Sequence, residues 1–366
     1  MKPKKILCLI DTLDMGGGAE RQMAGLAGML HQKGKDVVVA TYHKHDSDTF
    51  LEKKYGIRSV LIESKPSLIE KLITVQQFIK NKKFDVVIAY KDGATMLCCI
   101  LKMLGLNFKL IVSERNTTQK LDRRERIKFY LYRWADIIVP NSYTQGDFVN
   151  KTYPNLASKI KVITNFTDTN LFSPLEECAH RENNIFQILI TARIARQKNV
   201  LGFMKAIKKI KDRGFAIKFY WYGSVYAGQE DYGEAVQKEY RELELEDFLI
   251  FHAATPDIQS VYKACDVFCL PSFYEGYPNV VCEAMSCGKP ILCSRVCDNS
   301  TIVEEGINGF MFDPHNIDDI VDKIEMIYRQ SEKDLNKMGA SSRSIAEKKF
   351  SEESFVGKYI DIIDNC

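Results

Sequence analysis

Glu275 and Glu283 bracket a tight turn in the run Pro271-Ser-Phe-Tyr-Glu-Gly-Tyr-Pro-Asn-Val-Val-Cys-Glu-Ala-Met-Ser-Cys-Gly-Lys-Pro290, and the residue types there suit a sugar phosphate. Asp266-Val-Phe-Cys-Leu270 before it reads as a short buried strand, and Val280 to Cys287 after it as a helix stopped by Gly288 and Pro290. A helix start leaves its first N–H groups without intrahelical partners, and its dipole favours an anion. The amides of Asn279, Val280 and Val281 are therefore expected to face phosphate, with Gly276, Tyr277 and Pro278 shaping the approach. Carboxylates repel phosphate and accept readily from hydroxyls. Glu275, on the loop, and Glu283, one turn into the helix, are assigned to the sugar and ribose hydroxyls of a nucleotide sugar.

Cations come after another apolar run. Thr191-Ala-Arg193-Ile-Ala-Arg-Gln-Lys198 succeeds the strand Phe186 to Ile190, which places Arg193 as a planar fork and Lys198 as a point charge where a diphosphate needs neutralising. The alternative is a solvated, charged surface. Near the start, Ile6 to Ile10 runs into Asp11-Thr-Leu-Asp-Met-Gly16-Gly17-Gly18-Ala-Glu20-Arg21, a glycine-rich strand-to-helix turn that lets backbone approach a ligand. A dinucleotide fingerprint would need glycine at the sixth position from Gly16, which is Arg21, so the NAD reading is weakened. Ser113-Glu114-Arg115-Asn116 and Asn141-Ser142 end further strands and present polar groups at a sheet edge. His43-Lys-His-Asp-Ser-Asp48 holds an Asp-x-Asp triplet that a divalent ion could use, against a plain solvated loop as the alternative.

The elements that carry these groups alternate. Apolar runs at Ile6 to Ile10, Val37 to Thr41, Val86 to Tyr90 and Leu110 to Ser113 are interleaved with amphipathic stretches at Ala19 to Gln32 and Ser67 to Lys80. A second series starts at Phe186 and continues through Val200 to Arg213, Ile217 to Tyr222, Tyr232 to Leu243, Leu249 to His252 and Val267 to Leu270. Such alternation implies two α/β, doubly wound parallel sheets, with a linker near Asn165 to Pro174. Open sheets of this kind bind ligands beyond the carboxyl ends of their strands, so the active site is expected in a cleft between the two.

The Glu-x7-Glu block, with its Pro-Ser before and Glu-Ala-Met-Ser-Cys-Gly-Lys-Pro-Ile after, resembles the signature of the retaining GT-B glycosyltransferases of family 4. The resemblance implies a GT-B architecture of two Rossmann-like domains facing a central cleft. It implies an acceptor domain over residues 1–166, to which the last helix, 351–366, returns, and a nucleotide-sugar-binding domain over 170–348. Gly17 and Gly18 are similar to the family loop lying between acceptor and donor phosphate, and Asn165-Phe166 to its hinge. It further implies transfer of a hexose or N-acetylhexosamine from a UDP-sugar, with retention. Arg193 and Lys198 then hold the departing diphosphate, Glu275 orients the sugar, and the β-phosphate receives the acceptor proton. Glu114, Arg115, Asn116 and Asn141 fall on the acceptor and sugar side. The chain departs from the family in having Ala192 where a glycine is usual, Arg115 for a histidine, and no glycine near Phe251-His252-Ala253-Ala254. No cofactor is required, and a non-essential divalent ion stays open. A GT-B sugar-nucleotide epimerase and a silent nucleotide-sugar-binding subunit are the alternatives; a two-carboxylate glycosidase scheme has no use for the cations.

Many family members build cell-surface polysaccharide on lipid-linked precursors, so the implied acceptor is a saccharide, plausibly lipid-linked. Basic and apolar residues mix in Lys120 to Trp134 and Ser67 to Lys80, which suits either peripheral contact with an anionic membrane or ordinary helices packed on a sheet. At 366 residues, 45% hydrophobic and 27% charged, the chain is long enough for two globular domains, and its net charge of +3 gives no reason to expect nucleic acid. No run reaches the roughly 18 apolar residues of a spanning helix, Thr95 to Val112 being broken by Lys102, Asn107 and Lys109. Met1-Lys-Pro-Lys-Lys5 before Ile6 to Ile10 looks like a signal peptide, but the run ends at Asp11 and reads as a first strand. Eleven cysteines without a Cys-x-x-Cys pair read as buried thiols in a reducing cytoplasm.

Overall fold

A computed structural model describes residues 4–13, 18–44, 48–63, 67–118, 120–175 and 185–365, the side chains of 48–50 excepted. Two six-stranded sheets carry the chain, all paired strands running parallel. The first contains β1 (Lys5–Ile10), β2 (Asp36–Thr41), β3 (Ser59–Leu61), β4 (Val86–Tyr90), β5 (Lys109–Glu114) and β6 (Ile137–Pro140). The second contains β7 (Phe186–Thr191), β8 (Ile217–Tyr222), β9 (Leu249–His252), β10 (Val267–Leu270), β11 (Ile291–Ser294) and β12 (Gly309–Phe312).

Strand order is β3-β2-β1-β4-β5-β6 in one sheet and β12-β11-β10-β7-β8-β9 in the other. Counted within its own sheet, each shows the same doubly wound order, and the chain reverses direction of travel between β1 and β4 and again between β7 and β10. Those two places are the switch points where such sheets open a crevice.

Helices cover both faces of each sheet, which is why the central strands read as unbroken apolar runs. Leu7 and Leu9 enter one core while Ile6, Cys8 and Ile10 enter the other, and in the second sheet Ile188 and Ile190 are separated from Leu189 in the same way. The chain divides into one compact unit of residues 1–166 with 352–366 and another of 167–351. Helix Glu352–Asp364 buries Phe355, Val356, Tyr359 and Ile363 in the same core as Met23 and Ala27 of helix Gly18–Gln32.

The strands expected from sequence are present to within about a residue. Thr95 to Val112, the longest apolar candidate, divides into the end of helix Lys91–Met103 and the first part of β5. β3, with helix Asp48–Tyr55 before it, was not anticipated, because three half-exposed edge residues show no periodicity. Nor were β11, β12 and the helices Ile317–Tyr328 and Glu332–Lys349 assigned. Among the described residues no helix is long and apolar enough to cross a membrane, and no group of three metal-ligating side chains occurs. The Asp-x-Asp triplet lies largely outside the described residues, as does Gly17. Eight of the nine described cysteines are buried and all nine are free.

Candidate functional site

The switch point of the second sheet is framed by the segments that leave β7 and β10. After β7 the chain makes a short helical turn, Arg196–Lys198, closed by Asn199 in the left-handed region at φ 53. The Asn199 amide is buried and donates to the Pro314 carbonyl at 2.9 Å, which fixes the turn. After β10 the loop is stitched to that turn twice: Phe273 N–H donates to the Gln197 carbonyl at 2.8 Å, and Gln197 Nε2 to the Tyr274 carbonyl at 2.8 Å. The stitching brings Lys198 Nζ within 2.5 Å of Glu275 Oε1, with side chains only 12% and 10% exposed. A salt bridge this shielded is fixed in geometry and costly to break from one side.

Helix Asn279–Ser286 comes next, preceded by Pro278, and Gly288 in the left-handed region at φ 69 lies just past its end. One expectation is corrected here. The Val281 N–H donates to the Pro278 carbonyl at 3.1 Å in a tightened first turn, so it is not available to an anion. Asn279 and Val280 keep the first two positions of the helix. Tyr277 turns its ring into the core against Phe350, with centroids 5.8 Å apart, and offers the site its backbone.

Glu283 is held from beneath. The Tyr262 hydroxyl donates to Glu283 Oε2 at 2.9 Å and is itself 2.8 Å from Thr191 Oγ1. Tyr262 is fully buried, and burial together with the Glu283 charge pushes its phenol well above the usual range, so it keeps its proton and stays a donor. Sequence reasoning missed both supports. Thr191 sits at the end of β7 next to the cations that were noticed, whereas Tyr262 lies in helix Ile258–Ala264 and carries no motif.

Arg193 is exposed, with its guanidinium 4.1 Å from the centre of the Tyr226 ring. Gly223 lets the chain leaving β8 pass close against the backbone before Arg193: a Cβ there would fall 2.1 Å from the Ala192 carbonyl oxygen. Held over a ring face and, among the described residues, against no carboxylate, Arg193 keeps its five donors for an anion.

In the first unit the predicted residues separate. Glu114 is buried, accepting from Tyr132 at 2.9 Å and facing Lys128 Nζ at 3.1 Å. Lys128 is buried too and also meets Glu125 at 2.8 Å and Asp92 at 3.5 Å. Burial pushes the Glu114 carboxyl up, more than Lys128 pulls it down. Arg115 spends its donors inside the unit, on Ser113 at 2.7 Å, Asn165 at 2.8 Å, Tyr90 at 2.7 Å and Tyr359 at 2.8 Å. These two therefore brace the sheet edge. Asn116 is exposed, Asn141 Oδ1 is buried without a hydrogen-bond partner among the described residues, and Gly18 opens its helix.

The family model for glycosyl transferases group 1 matches residues 179–344, and that for glycosyltransferase family 4 matches residues 16–171. The chain belongs to glycosyltransferase family 4. This glycosyltransferase is 24% identical over 317 residues to the Escherichia coli UDP-Gal:alpha-D-GlcNAc-diphosphoundecaprenol alpha-1,3-galactosyltransferase, covering 81% of this chain and 80% of that one. It is 26% identical over 323 residues to a Campylobacter jejuni alpha-1,4-N-acetyl-D-galactosaminyltransferase named for a GalNAc-alpha-(1->4)-GalNAc-alpha-(1->3)-diNAcBac-PP-undecaprenol acceptor, covering 85% and 83%. Among solved structures, Anabaena Alr3699/HepE in complex with UDP matches with a TM-score of 0.85 at 19% identity, over 99% of this chain and 100% of that one. The transferase thus has the GT-B class of fold, two doubly wound Rossmann-like units in one chain.

Proposed function

We propose that this glycosyltransferase moves a hexose or N-acetylhexosamine from a UDP-sugar to a saccharide carried on a lipid diphosphate, with retention at the anomeric carbon, in the building of cell-surface polysaccharide. The observation that carries the reading is the Lys198–Glu275 ion pair, 2.5 Å long and shielded, at the switch point of the second sheet. One charge suits a leaving diphosphate and the other a sugar hydroxyl, and each holds its partner in place before a ligand arrives. The relatives named for diphosphoundecaprenol-linked acceptors and a structural neighbour bound to UDP support the substrate classes.

Arg193 and Lys198 stabilise the negative charge that grows on the departing diphosphate, aided by the helix start at Asn279 and Val280. Glu275 orients the sugar, with the backbone of Gly276, Tyr277 and Pro278 beside it, and Glu283 takes the ribose hydroxyls. No side chain has to act as nucleophile, because the leaving phosphate accepts the acceptor proton. Asn116 and Asn141 face the acceptor, while Glu114 and Arg115 hold the strand end that presents them. Transfer needs no cofactor and survives chelation of divalent ions. Contact with the inner face of a membrane falls to helix Arg123–Leu131, where Ile127 and Tyr130 are exposed among arginines and Arg133 stacks on Tyr130 at 3.7 Å.

The test is thermal stabilisation by UDP, GDP, ADP and NAD, on the natural chain and on Glu283→Ala. Stabilisation by UDP that is lost in the variant is the expected result. Stabilisation by NAD alone, or a UDP shift indifferent to Glu283, overturns the reading.

A further inference from the structure

The switch point of the first sheet holds polar groups that the donor chemistry does not use. β1 and β4 pair with Leu9 opposite Ala89, so Asp11 and Lys91, each just past the end of its strand, emerge side by side at the carboxyl edge. Asp11 Oδ1 is screened from solvent and has no hydrogen-bond partner among the described residues. Tyr42, the first residue past β2 and 7% exposed, brings its hydroxyl to the same spot: a Cβ on Gly93 would lie 2.8 Å from Tyr42 Oη and 3.5 Å from Asp11 Oδ2. Burial and the Asp11 charge push the Tyr42 phenol up, and no hydrogen bond relieves it among the described residues. Thr41, fully buried at the end of β2, leaves its hydroxyl oxygen unpaired among the described residues as well. Buried polar atoms in folded proteins are nearly always bonded, so a group of orphans at a switch point signals a ligand that bonds them.

The surrounding charges select the ligand. Lys91, whose backbone sits in the left-handed region at φ 65, directs its ammonium onto the buried Glu20, which neutralises both. His43 is nearby on the same side, and Asp92 is taken up by Lys128 and Arg124. The Asp11 carboxylate and the hydroxyls of Tyr42 and Thr41 are left for a ligand. A phosphate is repelled by the carboxylate, whereas a neutral hydroxyl donates to Asp11 and accepts from Tyr42. We propose that Asp11 and Tyr42 form a subsite for a hydroxyl of the acceptor sugar, the missing side chain of Gly93 leaving room for the Tyr42 hydroxyl at that edge. The proposal rests on the reading of the first unit as the acceptor side of a glycosyltransferase.

The experiment is saturation-transfer NMR with methyl α-glycosides of glucose, galactose, N-acetylglucosamine and N-acetylgalactosamine, on the natural chain, Asp11→Asn, Tyr42→Phe and Gly93→Ala, with UDP binding measured on each by calorimetry. At least one glycoside is expected to receive saturation from the natural chain, with a tenfold or greater loss of affinity in Asp11→Asn and Gly93→Ala and unchanged UDP affinity. Thermal stability separates this from damage to the fold. Asp11→Asn keeps the shape of a side chain one of whose oxygens has no partner among the described residues, so it is expected to melt no lower than the natural chain, whereas Gly93→Ala would set a Cβ 2.8 Å from Tyr42 Oη and is expected to displace that hydroxyl and melt slightly lower. No glycoside signal from the natural chain, or a signal that Asp11→Asn leaves intact, overturns the subsite. Absence of UDP binding to the natural chain overturns the transferase reading itself.

Discussion

The Tyr262 hydroxyl points at Glu283 Oε2 from a fully buried ring, and because its one proton goes to that carboxylate, the 2.8 Å contact with Thr191 is donated by Thr191 Oγ1. A directed chain of hydrogen bonds thus runs from the end of β7 through a core tyrosine to a carboxylate at the sheet edge. Hydrogen bonds to charged groups contribute about 1.5–3 kcal/mol. Tyr262→Phe should therefore weaken UDP binding at least tenfold by calorimetry while far-ultraviolet circular dichroism stays native. An unchanged UDP affinity would show that Glu283 does not depend on this support.

The Lys198–Glu275 pair calls for a double-mutant cycle. Removing either partner leaves the other charge shielded and without its counter-ion, which destabilises a protein by roughly 3–5 kcal/mol for well-buried pairs. Lys198→Ala and Glu275→Ala should each lower the urea midpoint, and the double variant should recover much of the loss. Transfer should fall by about 10²–10³ in each single variant and recover in neither the singles nor the double, as for removal of a charge-stabilising group. Activity that returned with stability would reduce the pair to a structural role.

Glu114 gives a pH dependence with a definite sign. Burial raises its folded-state pKa above the ordinary 4.5, so the folded chain holds this proton more tightly than the unfolded one. Its contribution favours folding at low pH and is lost as pH climbs from the unfolded value through the folded one. Denaturant unfolding across weakly acid pH should show the natural chain losing stability relative to Glu114→Gln as pH rises. A gap between the two chains that widens in favour of the natural one would contradict the burial-dominated shift.

Thiol reactivity separates the cysteines. Burial pushes the thiols of Cys8, Cys99, Cys265 and Cys287 up to about 12. Alkylation at neutral pH, mapped by peptide mass spectrometry, should leave these four unmodified in the native protein and label them fully in urea, while the half-buried Cys297 reacts first among the described cysteines. Native labelling of Cys8 or Cys265 would mean that their sheets open readily.

The Glu275–Glu283 block shows how much a sequence carries when one element holds the chemistry. Eight residues of spacing across a turn and a helix start are local facts, so the block could be picked out from side-chain types alone. Arg193 and Lys198 were readable for the same reason, as the first cations past an apolar run. Glu114 and Arg115 looked equivalent to them by that rule, yet they spend their groups on Lys128, Tyr132, Tyr90, Tyr359 and Asn165. Nothing local marks those partners, which come from up to 244 residues away.

Period and composition by themselves determined the α/β class, the doubly wound sheets and the residues at the strand ends, because each results from burying both faces of a parallel strand and ending it in a polar turn. Tertiary packing alone decided which of those polar residues remain available. It joined Lys198 to Glu275 by stitching two loops, set Tyr262 under Glu283, turned the Tyr277 ring inward, closed the Val281 amide onto Pro278, and left Asp11 Oδ1 unbonded near Tyr42 and Gly93. The physical reason is that a hydrogen bond or ion pair depends on distances of a few ångströms between groups far apart in the chain, and those distances exist only once both sheets and their helices have packed.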